Sequence, residues 1–159
     1  MSIKSAFAKS HILKPNSLIK SNPDAPINTV ELYLDYACPF CLKIFSRWSE
    51  GGLFEDKFLS QHNIQIRFNN VPQPWHLRSI PIHNVGLAVA RYQPESFWDY
   101  SLQLFKDAKE TWDDNLNGST PEEFNKILAT HANKYTGINQ DLVLAYLNDK
   151  DEGKARIPD

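Results

Sequence analysis

Apolar and polar residues alternate between Thr29 and Tyr36, with Val30, Leu32 and Leu34 set against Glu31, Tyr33 and Asp35. A period of two predicts a strand with one buried face, and its β-branched and aromatic residues suit that state. The period then changes. Pro39 stands where a first helical turn would begin, a position that does not need its missing N–H. Phe40, Ile44 and Trp48, with Cys41 and Phe45, recur at i, i+4 and predict an amphipathic helix. Gly51-Gly52 interrupts it, and Leu53, Phe54, Phe58 and Leu59 mark a second helical piece. Ile64, Ile66 and Phe68 restore the alternation, so a second strand is expected over 63–69. Strand, helix and strand in this order make a βαβ unit, with parallel strands and a right-handed crossover.

Beyond it only helices are expected. Val71-Pro72-Gln73-Pro74-Trp75-His76 reads as a proline-broken loop. Ile80–Tyr92 carries Val85, Ala88, Val89 and Tyr92 on one side, and Pro94 leads into Phe97, Trp98, Leu102, Phe105 and Ala108. Asp113–Gly118 reads as a loop. Thr120-Pro121-Glu122-Glu123 is a capping box with proline at the first helical position, ahead of an apolar face of Phe124, Ile127, Leu128 and His131. Asn139 can cap a last helix through Leu142, Val143, Ala145 and Tyr146. Residues 1–28 look loosely structured, with turns at Pro15, Pro23 and Pro26 and at most a short strand at His11-Ile12-Leu13. The expected division is a flexible N-terminal extension (1–26), the βαβ unit (27–74), a helical subdomain (75–150) and a tail (151–159).

Composition narrows the setting. A chain of 159 residues, 42% hydrophobic and 23% charged, suits one ordinary globular domain. A net charge of −2 gives no general reason to expect nucleic acid or an anionic membrane as partner. No stretch approaches the ~20 apolar residues of a membrane span. Residues 1–23 hold Lys4, Lys9, Lys14 and Lys20 and no acid, but neither the apolar block of a secretory signal nor the arginines of a mitochondrial presequence. A cytoplasmic location is therefore expected ahead of a mitochondrial one. No cofactor is expected.

The two cysteines are too few for a disulfide-stapled scaffold, and they lie together as Cys38-Pro39-Phe40-Cys41 at the strand-to-helix junction. That spacing sets the sulfurs one helical turn apart. A thiol at a helix N-terminus faces unpaired N–H groups and the positive end of the dipole, which favour thiolate. On a redox reading Cys38 attacks disulfides, Cys41 resolves the mixed disulfide, and Pro39 and Phe40 tune the poise. Half a zinc site is the metal alternative; His11, His62, His76, His83 and His131 are the candidate ligands, and none forms a tight H-x₃₋₅-H pair. Two inert buried thiols are the structural alternative. C-x-x-C inside a βαβ unit favours the redox reading. Asp35 could tune Cys41 as a buried acid or proton shuttle, but strand alternation points it outward and favours a solvated carboxylate. Trp75 and His76 either line the groove beside the cysteines, with His76 as proton donor, or serve as a packing Trp and a capping His. Trp48, Trp98 and Trp112 are expected in the core, and the charges from Asp107 to Asp114 on a solvated helix end.

Leu34-Asp35-Tyr36-Ala37-Cys38-Pro39-Phe40-Cys41, then Gln73-Pro74-Trp75-His76, then Phe97-Trp98, resembles the DsbA-like thioredoxin superfamily over roughly residues 24–150. The resemblance implies an α/β fold: a thioredoxin-like βαβ unit with an inserted or appended all-helical subdomain. It implies a dithiol oxidoreductase, Cys38 the nucleophile and Cys41 the resolving residue, acting on protein or small-molecule thiols and disulfides. That family returns from the helices into a β-hairpin, preceded by a cis-proline facing the cysteines, and a final helix. Here the sequence stops at Asp159, and Pro158 has no strand after it. The expectation is thus a C-terminally truncated fold with a two-stranded sheet and one free strand edge, open to self-association. Activity would be impaired while Cys38 stays reactive; a catalytically weak remnant acting as a binding or redox-sensing module is the alternative. A glutathione-dependent transferase or isomerase is a third reading, and the second cysteine argues against it. In a cytosolic glutathione poise the dithiol would be mostly reduced, and so a reductase or sensor more readily than an oxidant.

Overall fold

The computed structural model describes residues 7–16, 27–111 and 118–149. Strand β2 (Asn28–Leu34) runs parallel to β3 (Ile64–Asn70), with Val30 opposite Ile66 and Leu32 opposite Phe68. Helices α2 (Pro39–Glu50) and α3 (Asp56–His62) make the crossover between them. The βαβ unit is therefore as its alternating and i, i+4 patterns predict. At the end of α3, Asn63 turns the chain into β3 with φ 50, a left-handed conformation that asparagine tolerates better than most residues.

The sheet has three strands rather than the expected two. A short helix α1 (Ala8–His11) leads into β1 (Ile12–Leu13), which pairs antiparallel with the far edge of β3, Ile12 opposite Arg67. The order is β1-β3-β2, so β3 is central. Residues 7–13, read from sequence as part of a loose extension, are thus built into the fold. Phe7, Ser10 and His11 are buried. The His11 ring stacks on Phe97 at 4.1 Å, and Trp98 Nε1 donates to the Ser10 carbonyl over 2.8 Å. Two apolar side chains cannot show a period, which is why the segment reads as loose.

After β3 come α4 (Ser79–Tyr92), a 3₁₀ turn (Pro94–Ser96), α5 (Phe97–Thr111), α6 (Pro121–Thr136) and α7 (Gln140–Asn148). The capping box of α6 is complete: Glu123 N–H donates to Thr120 Oγ1, and Thr120 N–H to the Glu123 carboxylate. Asn139 caps α7 through the N–H groups of Asp141 and Leu142. Helix α4 is buried almost all round, from Ile82 to Ala90, as a central helix must be. Its Gly86 lets Tyr36 approach: a Cβ there would lie 3.3 Å from the Tyr36 ring and hydroxyl.

One aromatic core joins the βαβ unit to the helices. Tyr36 and Phe45 meet Phe105 of α5 at 4.8 and 4.9 Å, and Phe68 meets Phe97 at 5.4 Å. Trp48 and Trp98 pack against this core, as expected. Trp112, residues 113–117 of the expected loop, the turns at Pro23 and Pro26, and the tail with Pro158 lie outside the described residues. Among the described residues no helix is long and apolar enough to cross a membrane.

Candidate active site

Strand β2 ends at Leu34, and three residues turn the chain into α2. Cys38 is the N-cap, with φ −87 and ψ 120. Its N–H donates to the Asp35 carbonyl at 3.0 Å, and its own carbonyl accepts the first helical bond from Leu42 at 3.1 Å. Pro39 fills the first helical turn. Cys41 follows one turn on. Both cysteines are partly buried free thiols, and their sulfurs lie within hydrogen-bonding reach of each other. Burial pushes the Cys41 thiol up to about 11; the Cys38 sulfur and the Asp35 carboxylate add to the rise, and a backbone hydrogen bond at Asp35 opposes it. Phe40, between them, is 75% exposed, and Ile44 stands exposed one turn further.

Asp35 is not the solvated carboxylate that strand alternation suggests. It is 0% exposed. The strand stops one residue earlier, so its alternation no longer governs where this side chain points. Oδ1 accepts from Ala37 N–H at 2.9 Å and from Ser79 Oγ–H at 2.6 Å, with His83 Nε2 at 3.4 Å. Oδ2 accepts from Gln73 N–H at 2.8 Å and contacts His76 Nδ1 at 2.9 Å. Burial alone would raise this carboxyl. The facing His83 imidazole, the Ser79 hydroxyl, His76 and the Ala37 amide outweigh it, and hold the group well below the usual carboxylate range.

The structure therefore brings His76 to Asp35, beside the cysteine turn. Trp75 is 69% exposed, its ring edge-on to His76 at 6.1 Å, so it is not a packing residue. Ser79 was not singled out from sequence, and His83 only as a candidate metal ligand. They lie four apart on the mostly apolar α4, and that spacing was the available signal. The remaining histidines scatter. His62 packs on Phe58 at 4.4 Å, and His131 lies between Tyr100 and Asp107. Among the described residues no three His, Cys, Asp or Glu side chains group as a metal would need.

A family model described as thioredoxin matches residues 14–152, a span that includes both cysteines. Three solved structures share the fold. BdbD from Bacillus subtilis, in its oxidised form, superposes with a TM-score of 0.64 at 24% identity, covering 94% of this chain and 70% of that one. MdbA, a thiol-disulfide oxidoreductase from Corynebacterium diphtheriae, gives 0.60 at 18% identity, covering 98% and 72%. A putative protein-disulfide isomerase from Pseudomonas syringae gives 0.57 at 24% identity, covering 79% and 68%. Among curated protein sequences no relative matches. With the family match spanning most of its length and the cysteine pair at the N-terminus of α2, the chain belongs to the thioredoxin family, in the DsbA-like form of that fold.

Proposed function

We propose that the protein is a thiol–disulfide oxidoreductase working through Cys38 and Cys41. The carrying observation is the thiol pair at the head of α2 with the buried, ionised Asp35 beneath it. In the reductive direction the Cys38 thiolate attacks a substrate disulfide, forms a mixed disulfide and releases one substrate thiolate. Cys41 then gives up its proton, attacks the Cys38 sulfur and releases the second substrate thiolate. The dithiol loses two electrons and the substrate disulfide gains them.

Cys41 sits near 11 and keeps its proton at neutral pH, so the second step needs an acceptor. In this reading the Asp35 carboxylate, whose charge acts on Cys41, takes the proton only in passing, and His76 at Oδ2 relays it toward solvent. Phe40 and Ile44, next to the thiols in sequence, and Trp75 and the 90% exposed Leu77, which flank His76, are apolar and open to water. They favour a polypeptide disulfide over a small polar one.

Insulin reduction by the full chain, with dithiothreitol as the recycling thiol, tests the reading. The wild type accelerates reduction, Cys38→Ala abolishes the acceleration, and Cys41→Ser traps the mixed disulfide. No acceleration by the wild type, or equal acceleration by Cys38→Ala, would defeat it.

A further inference from the structure

His11 and His83 lie far apart in sequence, are both buried, and meet through Asn70 of β3. The hydrogen bonds that join them run in one direction. The Phe7 carbonyl can only accept, so Ser10 Oγ gives its single hydrogen there, over 3.0 Å. Ser10 Oγ must then accept from His11 Nδ1, 2.9 Å away. Burial lowers His11 to about 4, so at neutral pH its ring is neutral and Nε2 is an acceptor. Asn70 Nδ2 donates to it over 2.9 Å. The other end of that amide, Oδ1, can only accept, and it takes the hydrogen of His83 Nδ1 over 2.7 Å.

His83 thus keeps a hydrogen on Nδ1 in either charge state. Its exchangeable proton is the one on Nε2, which lies 3.4 Å from Asp35 Oδ1 and 3.4 Å from the Tyr36 backbone N. The neutral ring accepts from Tyr36 N–H; the protonated ring donates to Asp35. A free imidazole could instead place its hydrogen on Nε2 while neutral, and the position facing Asp35 would then be filled. The titratable groups around His83 are Asp35 and the Tyr36 phenol beyond the end of β2, His76 through Asp35, and His11 of α1 through Asn70.

We infer that His83 is a buried acid–base partner of Asp35, and that His11 and Asn70 are positioning residues that confine its proton exchange to Nε2. This inference rests on the oxidoreductase reading above. The proton leaving Cys41 then enters a pair rather than a lone carboxylate: it sits on Asp35 Oδ1 or on His83 Nε2, with the charges of the two rebalanced across the contact. One bond breaks, Cys41 S–H, and one forms, O–H on Asp35 or N–H on His83; the thiolate keeps the electron pair. The docking of residues 7–13 thereby reaches the thiols through three side chains.

Long-range ¹H–¹⁵N spectra of the imidazoles, read with the single-turnover reaction of the reduced protein with dithiobis(nitrobenzoate), test this; the second thionitrobenzoate released reports Cys41 attacking the mixed disulfide at Cys38. The wild type shows hydrogen on Nδ1 of His83 and of His11 at neutral pH; hydrogen on Nε2 of neutral His83 overturns the inference without any variant. Asn70→Leu removes the Nδ1 acceptor, shifts His83 to the Nε2–H form and slows the second release about threefold or more. His11→Phe keeps the stack on Phe97, frees the amide and gives a mixed His83 signature. Asn70→Asp retains an acceptor and restores the Nδ1–H signature. Phe7→Ala loosens the same segment but leaves the backbone acceptor, so signature and rate stay put. A changed signature with an unmoved rate in Asn70→Leu, or equal slowing in Phe7→Ala, overturns the inference. These readouts need no catalytic turnover, so a wild type inert toward insulin defeats the oxidoreductase reading and leaves this one decided on its own data.

Discussion

Asp35 carries more of the site than its place in the sequence suggests. Replacing it with asparagine keeps the shape and removes the base. The expected result is a resolving step slowed at least ~10-fold, with mixed-disulfide formation at Cys38 little changed. Stopped-flow measurement of the two steps separates them; equal slowing of both would place Asp35 outside the proton path. The same carboxylate is held below its ordinary range, so it stabilises the fold above about pH 4 and that contribution fades as pH falls. His11 works the same way in a higher window, because its folded value is depressed from 6.5 to about 4. The unfolded state takes up the proton first, so stability is full above 6.5 and falls between 6.5 and 4, by on the order of 3 kcal/mol. Urea midpoints across that range should decline in the wild type and decline less in His11→Phe. The motif was legible: Cys38 and Cys41 stand at the strand-to-helix junction that spacing and punctuation predict, while His76 was left open between the groove and a helix cap. Asp35 was not legible, because alternation is a property of a strand and this side chain begins just after one.

At the scale of elements, α4 and the end of β2 are fitted to each other through Gly86 and Tyr36. Tyr36 cannot retreat from an added methyl group. It is fully buried, its hydroxyl pairs with Ser101 at 2.8 Å, and Phe105 and His83 flank its ring at 4.8 and 4.6 Å. Gly86→Ala would gain about 1 kcal/mol of helix propensity and lose about 1–3 kcal/mol to overpacking. The expected balance is a net loss near ~1 kcal/mol in urea unfolding, with slower thiol chemistry because Tyr36 adjoins Asp35. A more stable variant would mean that the ring moves after all. The helices themselves were readable from apolar spacing and from the caps at Thr120 and Asn139. The fit of Gly86 to Tyr36, fifty residues apart in sequence, leaves no local trace.

At the scale of the molecule, β3 is paired along the whole of one edge and at Ile66-Arg67 on the other, and β2 on one edge. Asn28 N–H and Leu34 C=O both face β3, so Val30 and Leu32 do too, while the backbone groups of Thr29, Glu31 and Tyr33 face the other way. No described strand covers that outer edge. Amide exchange should therefore be fast at Thr29, Glu31 and Tyr33 and slow at Val30, Leu32 and Leu34; equal protection at all six would mean that the edge is covered. The third strand was only hinted at in the sequence, as a possible short strand at His11-Ile12-Leu13, because β1 has two residues, too few for a pattern, and is held by contacts remote in the chain. Those contacts set an order in time. Ser10 leaves the ribosome 88 positions ahead of the indole that binds its carbonyl. During synthesis the thiols at 38 and 41 emerge well before α5, so for that interval the nascent chain carries its cysteines without residues 7–13 docked behind them. The partners of Asp35 follow with α4, and the docking of His11, which needs Phe97 and Trp98 of α5, comes last.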